Sequence, residues 1–108
     1  MQTKPSMVSR SRHFLLLLLP ALLGCHLRIQ DPITIHPSHE PEPDAAIVRG
    51  RPRDYADHHP EPGDVVSLIE ISESSLEHDR TTKLRIYAAA GIPQYIILNL
   101  VDRRVEVY

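Results

Sequence analysis

The sequence predicts an α/β domain in which a mixed sheet carries one packed helix. Three observations lead there. Residues 64–72 form an almost unbroken run of β-branched and aliphatic side chains. Residues 75–90 have helical start and stop signals. Two further apolar runs, 94–100 and 103–108, are separated by a short polar break.

Residues 1–27 differ from the rest. Lys4, Arg10 and Arg12 precede an apolar run from Phe14 to Leu23 that Pro20 interrupts and Gly24 and Cys25 close, which is the layout of a bacterial signal peptide. The ending Leu22-Leu23-Gly24-Cys25 is also that of a lipoprotein cleavage box. The run is shorter than the roughly twenty apolar residues that a spanning helix needs. A leucine-rich core helix, or a segment from a displaced start, is the competing reading. Residues 28–108 then form the domain proper.

The segment 27–35 is β-leaning, with Pro32 marking a bend or an edge position. Proline- and histidine-rich residues 36–43 read as a loop. Asp44 opens an apolar strand that ends at Gly50, and residues 51–63, with their prolines and charges, form a solvated connection. His58 and His59 on that connection are more readily surface groups than ligands. The run 64–72 follows as the central strand, expected to be covered on both faces. For the helix, Ser74 and Glu77 suggest a capping box, and Gly91 with Pro93 a stop. The last two runs form a hairpin turning at Val101-Asp102-Arg103.

Composition narrows the chemistry. A chain of 108 residues holds one domain, and its formal net charge of −2 provides no basic stripe for nucleic acid, so any such contact must come from local arrangement. The single cysteine excludes an internal disulfide, and the seven histidines lack the spacing of a zinc site.

Glu70 is the most informative residue, because an ionised carboxylate within an apolar central strand is costly unless something compensates it. Alternation places Val66, Leu68, Glu70 and Ser72 on one face, with Val65, Ser67, Ile69 and Ile71 on the other. Antiparallel pairing of strand 44–49 with the central strand would bring Asp44 beside Glu70. Such a carboxylate pair suits Mg²⁺, which takes one or two protein carboxylates while phosphate and water complete its octahedron. A rim position for Glu70 and a turn-capping role for Asp44 are the structural alternatives. On the helix, Lys83 shares a face with Arg80 and Tyr87, so both cations could point toward the carboxylates. An ordinary surface pair between Asp79 and Lys83 is the alternative there.

These residues resemble a known family. Glu42-Pro43-Asp44 before a strand, then VVSLIEISESS, then DRTTKLRIYAAAGIPQYIILNLVDRRVEVY, are similar in order and spacing to the Uma-type restriction endonuclease family of the PD-(D/E)xK superfamily. The resemblance covers about residues 28–108. It implies a restriction endonuclease-like core, α-β-β-β-α-β, and Mg²⁺-dependent hydrolysis of DNA phosphodiester bonds, with Mn²⁺ as a substitute. By the same resemblance Asp44 and Glu70 are metal ligands and catalytic residues, and Ser72 stands where the superfamily's usual lysine would be. Lys83 is the catalytic lysine moved onto the helix, with Asp79 placing it and Tyr87 packing beneath.

Ile96 and Asn99 depart from the family's frequent aromatic and aspartate. The family pattern also extends beyond the matched region at both ends, so a truncated chain is expected, with the leucine-rich segment standing where a first helix belongs. DNA is the implied partner, a homodimer is left open, and the cytoplasm is the implied location. Export or a lipid anchor at Cys25, and with it a membrane, follows only if the N-terminal segment is a true signal. A catalytically inert remnant or interaction module of the same fold is the rival reading.

Overall fold

In the computed structural model, residues 24–36 and 39–108 are described. They form a five-stranded mixed sheet in the order β1-β2-β3-β4-β5. The strands are β1 (Cys25–Ile29), β2 (Ala45–Arg49), β3 (Val65–Ser72), β4 (Tyr95–Asn99) and β5 (Arg104–Val107). Helix α1, residues 76–89, crosses between β3 and β4, which are therefore parallel, whereas every other neighbouring pair is antiparallel. The α/β class and the mixed sheet agree with expectation and are compatible with a restriction endonuclease-like fold. The leucine-rich segment and the first helix of the expected core lie outside the described residues.

Local differences have identifiable causes. The first β segment pairs as residues 25–29 rather than running on to 35. Beyond Ile29 the chain leaves the sheet through Gln30, at positive φ, and Pro32, and Ile35 forms only an isolated bridge with His39. A register shift between Ile47 and Val48 brings Val65 opposite Val48. This bulge breaks the simple alternation expected of β3: Val65 joins Leu68 in the core cluster, and Val66 is only half-buried.

The main core lies between the sheet and α1. Ala46, Val48, Val65, Leu68, Tyr95 and Ile97 pack there with Tyr87, and Ile33 and Ile35 from the connecting segment close one side. Tyr87 meets Tyr95 edge-on, with ring centroids 5.0 Å apart. The opposite face is buried at its centre, at Ile47, Ser67 and Ile96. It opens at its margin, where Ile71 is 51% exposed, so β3 is not covered on both faces along its whole length.

The helix departs from the sequence-based expectation at two points. It begins at Leu76 with Ser75, not Ser74, as the flanking residue, and no side-chain cap forms. Ser75 Oγ instead donates to Asp79 Oδ2 at 2.8 Å. The middle turn, Asp79–Lys83, is π-helical between the α-helical turns Leu76–His78 and Leu84–Ala89. Such a wider turn is uncommon and often found at functional sites. Here it spans the residues whose charged side chains reach the sheet.

Candidate functional site

Antiparallel pairing sets Ala45 against Ile69 and so brings Asp44 level with Glu70 at the sheet end. Two hydrogen bonds lock this juxtaposition. The Asp44 backbone N–H donates to Glu70 Oε1 at 3.3 Å, and the Ile71 N–H donates to Asp44 Oδ2 at 2.7 Å. The Gln30 N–H donates to the Asp44 carbonyl at 3.0 Å, tying the end of β1 to the same point. Asp44 is thus a strand-entry residue whose carboxylate is half-engaged by backbone, and among the described residues its Oδ1 accepts no hydrogen bond.

Glu70 is 2% exposed, which is where its cost and its interest arise. Helix α1 supplies the compensation: Lys83 Nζ lies 3.2 Å from Glu70 Oε2, and the Tyr87 hydroxyl donates to the same oxygen at 3.1 Å. Burial is the largest influence on Glu70 and raises its pKa above the ordinary carboxylate value, although Lys83 and the Asp44 N–H act to lower it. At Lys83 burial again has the largest single effect and pulls downward, but attraction to Glu70 and Asp79 outweighs it, so the ammonium is held above its usual range. The partners differ because Glu70 is almost wholly covered while the Lys83 side chain remains 30% exposed. Tyr87 is shifted well upward by burial and by the nearby carboxylate, so it stays a neutral phenol that donates.

The carboxylate of Asp79 is not the surface group that an i,i+4 pair usually provides, being 1% exposed. Its Oδ2 accepts from the hydroxyls of Ser72 and Ser75, and its carbonyl accepts from Tyr95 at 3.0 Å. Its Oδ1 has no hydrogen-bond geometry but sits 3.3 Å from Lys83 Nζ. Ser72, two residues after Glu70 on the same face, therefore fixes Asp79, and Asp79 puts a second carboxylate beside the Lys83 ammonium. The structure brings Asp44, Glu70, Lys83, Asp79, Tyr87 and Ser72 into one continuous polar cluster.

Arg80 does not join it. Its guanidinium reaches the Glu106 carboxylate on β5 through Nε at 3.0 Å and through Nη2. The register explains this: Ile97 lies between Glu70 and Glu106 across β4, so the two acids are two strands apart on the helix-facing side. Each requires its own cation. Glu106 is fully buried and also accepts from Asn99 at 2.7 Å and from the Tyr108 hydroxyl at 2.7 Å. Sequence reasoning passed over Glu106, although an acid alternating with valines on a strand is the same signal that singled out Glu70.

A cleft of about 340 Å³ opens beside the cluster and is lined by Lys83 and Tyr87 together with His39, Glu40, His78 and Thr82. His58 and His59 lie elsewhere, against Tyr55 and Thr34 in a second depression. Among the described residues no group of three or more His, Cys, Asp or Glu side chains converges as a metal site. Asp44 and Glu70 remain a two-carboxylate donor set, the number with which Mg²⁺ is commonly held when phosphate and water complete its shell. Among the described residues Asp44 Oδ1 accepts no hydrogen bond, and Glu70 Oε1 accepts one long bond, from the Asp44 N–H at 3.3 Å. No helix among the described residues is long and apolar enough to cross a membrane.

Compared with known proteins, residues 5–108 match the model of the Uma2 family, whose description is "Putative restriction endonuclease". The match reaches further toward the N-terminus than the motifs around Asp44, Glu70 and Lys83. Comparison with curated proteins yields no match.

Proposed function

Because the chain belongs to the Uma2 family, we propose that it is an endonuclease that hydrolyses DNA phosphodiester bonds with Mg²⁺, as members of the PD-(D/E)xK superfamily do. The observation that carries this reading is the meeting of Asp44, Glu70 and Lys83 at one sheet end, from positions 26 and 13 residues apart in the chain. Asp44 and Glu70 would hold Mg²⁺, with Mn²⁺ as a substitute. When bound, the ion polarises the phosphate and lowers the pKa of a coordinated water.

The chain's own residues do the rest. Lys83, with its ammonium kept charged between Glu70 and Asp79, faces the position where negative charge develops on the phosphate, and a fixed cation in a partly dry site stabilises that charge strongly. Tyr87 holds Glu70 in the orientation that offers Oε1 toward Asp44. Asp79, fixed by Ser72 and Ser75, positions Lys83 and does not touch substrate. Lys83 also gives the carboxylates a counter-charge before any cation arrives, so the site can fold without one.

The test is nicking of supercoiled plasmid in Mg²⁺. Glu70→Ala is expected to abolish nicking while circular dichroism shows a folded chain; undiminished nicking by the folded variant would refute the assignment. One observation favours the rival reading of an inert module: Glu70 already accepts hydrogen bonds at both oxygens within the chain. On that reading neither Mg²⁺ nor Mn²⁺ binds, and wild-type protein leaves plasmid intact.

A further inference from the structure

The cleft beside the cluster has polar side chains that the cleavage site does not use. His39 and Glu40 line it from the connecting segment, and His78 and Thr82 line it from α1 together with Lys83 and Tyr87. Lys83 and Tyr87 both contact Glu70 Oε2, so the cleft begins where the carboxylate site ends. Both imidazoles are exposed, and neither is engaged in a hydrogen bond among the described side chains. Hydroxyl and imidazole donors along a groove leading from a phosphate-directed site are the groups that position a nucleic-acid backbone without reading its sequence.

We propose that His39, His78 and Thr82 bind the phosphate adjacent to the one attacked, so that the DNA backbone runs along this cleft and is held in register over Asp44 and Glu70. This rests on the nuclease reading and adds a substrate-positioning subsite to it. Each imidazole carries a ring N–H that can donate to a phosphate oxygen. The titratable groups that line the cleft with them are Glu40, Lys83 and Tyr87. Glu40 opposes an anion there, and removing its charge should tighten binding.

The experiment is fluorescence anisotropy with a short labelled DNA duplex, without divalent cation so that nothing is cleaved. The double variant His39→Ala/His78→Ala should bind roughly 5–10-fold more weakly than wild type, because two donors to the phosphate are lost. Glu40→Gln, a change at an exposed residue outside the fold's core, should bind more tightly. Equal affinity for wild type and the double variant overturns the subsite. Glu70-dependent nicking retained alongside that result leaves the nuclease reading standing and removes this inference alone. Wild-type protein that binds no duplex overturns the inference too.

Discussion

Replacing Lys83 by Met tests how the buried acids are compensated. In the wild-type fold Lys83 Nζ stands 3.2 Å from Glu70 Oε2 and 3.3 Å from Asp79 Oδ1, and both carboxylates are almost fully covered. Removing one partner of a buried pair costs about 3–5 kcal/mol, since the remaining charge loses its counter-ion. Two features reduce that figure: the Lys83 side chain is 30% exposed, so solvent screens it, and Tyr87, Ser72 and Ser75 still donate to the two acids. A loss of about 2 kcal/mol is the expected result, or roughly 8–16 °C in Tm for a domain of this size.

The pH dependence carries a sign. The pKa of Glu70 is raised, so on acidification it takes up its proton before an unperturbed glutamate would. The penalty of Lys83→Met should therefore shrink as pH falls through that raised value. The pKa of Lys83 is raised as well, so its contribution is complete below about 10.5, the ordinary lysine value, and is lost as pH rises through the higher folded value. Urea unfolding of both proteins across this range measures the difference directly. In a Glu70→Gln background the same substitution should cost clearly less, the coupling of a double-mutant cycle. A penalty below about 0.5 kcal/mol at neutral pH, or one unchanged by Glu70→Gln, would refute the argument.

Other outcomes follow from the same geometry. Tyr87→Phe keeps the ring packed on Tyr95 but withdraws a donor from Glu70, so it should cost about 1–2 kcal/mol by urea titration, and stability indistinguishable from wild type would contradict that role. Arg80→Met takes the guanidinium from buried Glu106, to which Asn99 and Tyr108 still donate, and thermal melting should show a loss of about 2–4 kcal/mol without any change in Mg²⁺ affinity. On alkaline titration followed by tyrosine absorbance, Tyr87 and Tyr95 should ionise only as the chain unfolds. Their folded pKa values lie above the unfolded value of 10.0, so stability falls as pH rises past it, whereas Tyr108, pushed up to about 12, precedes them. Gly50→Ala should destabilise by about 1 kcal/mol or more, since φ is +87° there and a Cβ would lie 2.6 Å from Asp54 Oδ2.

Much of this arrangement is legible in the sequence because it depends on alternation and connectivity. A carboxylate inside the run VVSLIEIS has to be buried or paired, and antiparallel pairing of the two strands brings Asp44 to it. The helix and hairpin follow from local signals at Gly91, Pro93 and the turn 101–103. What escapes sequence reading depends on register and on reach. The bulge that turns Val65 inward follows from pairing with Val48, which no local pattern encodes. Arg80 and Lys83 are on the same helical face, but which acid each one meets is decided by the position of Glu106 two strands away. Ser72 and Asp79 are close in the chain, but the bond between them joins a strand to the π-helical turn and has no periodic signature either. The His39–His78 juxtaposition joins a loop to a helix 39 positions later and has no periodic signature.

The central claim is that Asp44 and Glu70 jointly hold a divalent cation, and isothermal titration calorimetry with Mn²⁺ and Mg²⁺ tests it most directly. Wild type should give a single saturable site that Asp44→Asn and Glu70→Gln each abolish while Arg80→Met preserves it. Saturable binding that survives both carboxylate substitutions, or no binding by the folded wild-type chain, would contradict the account.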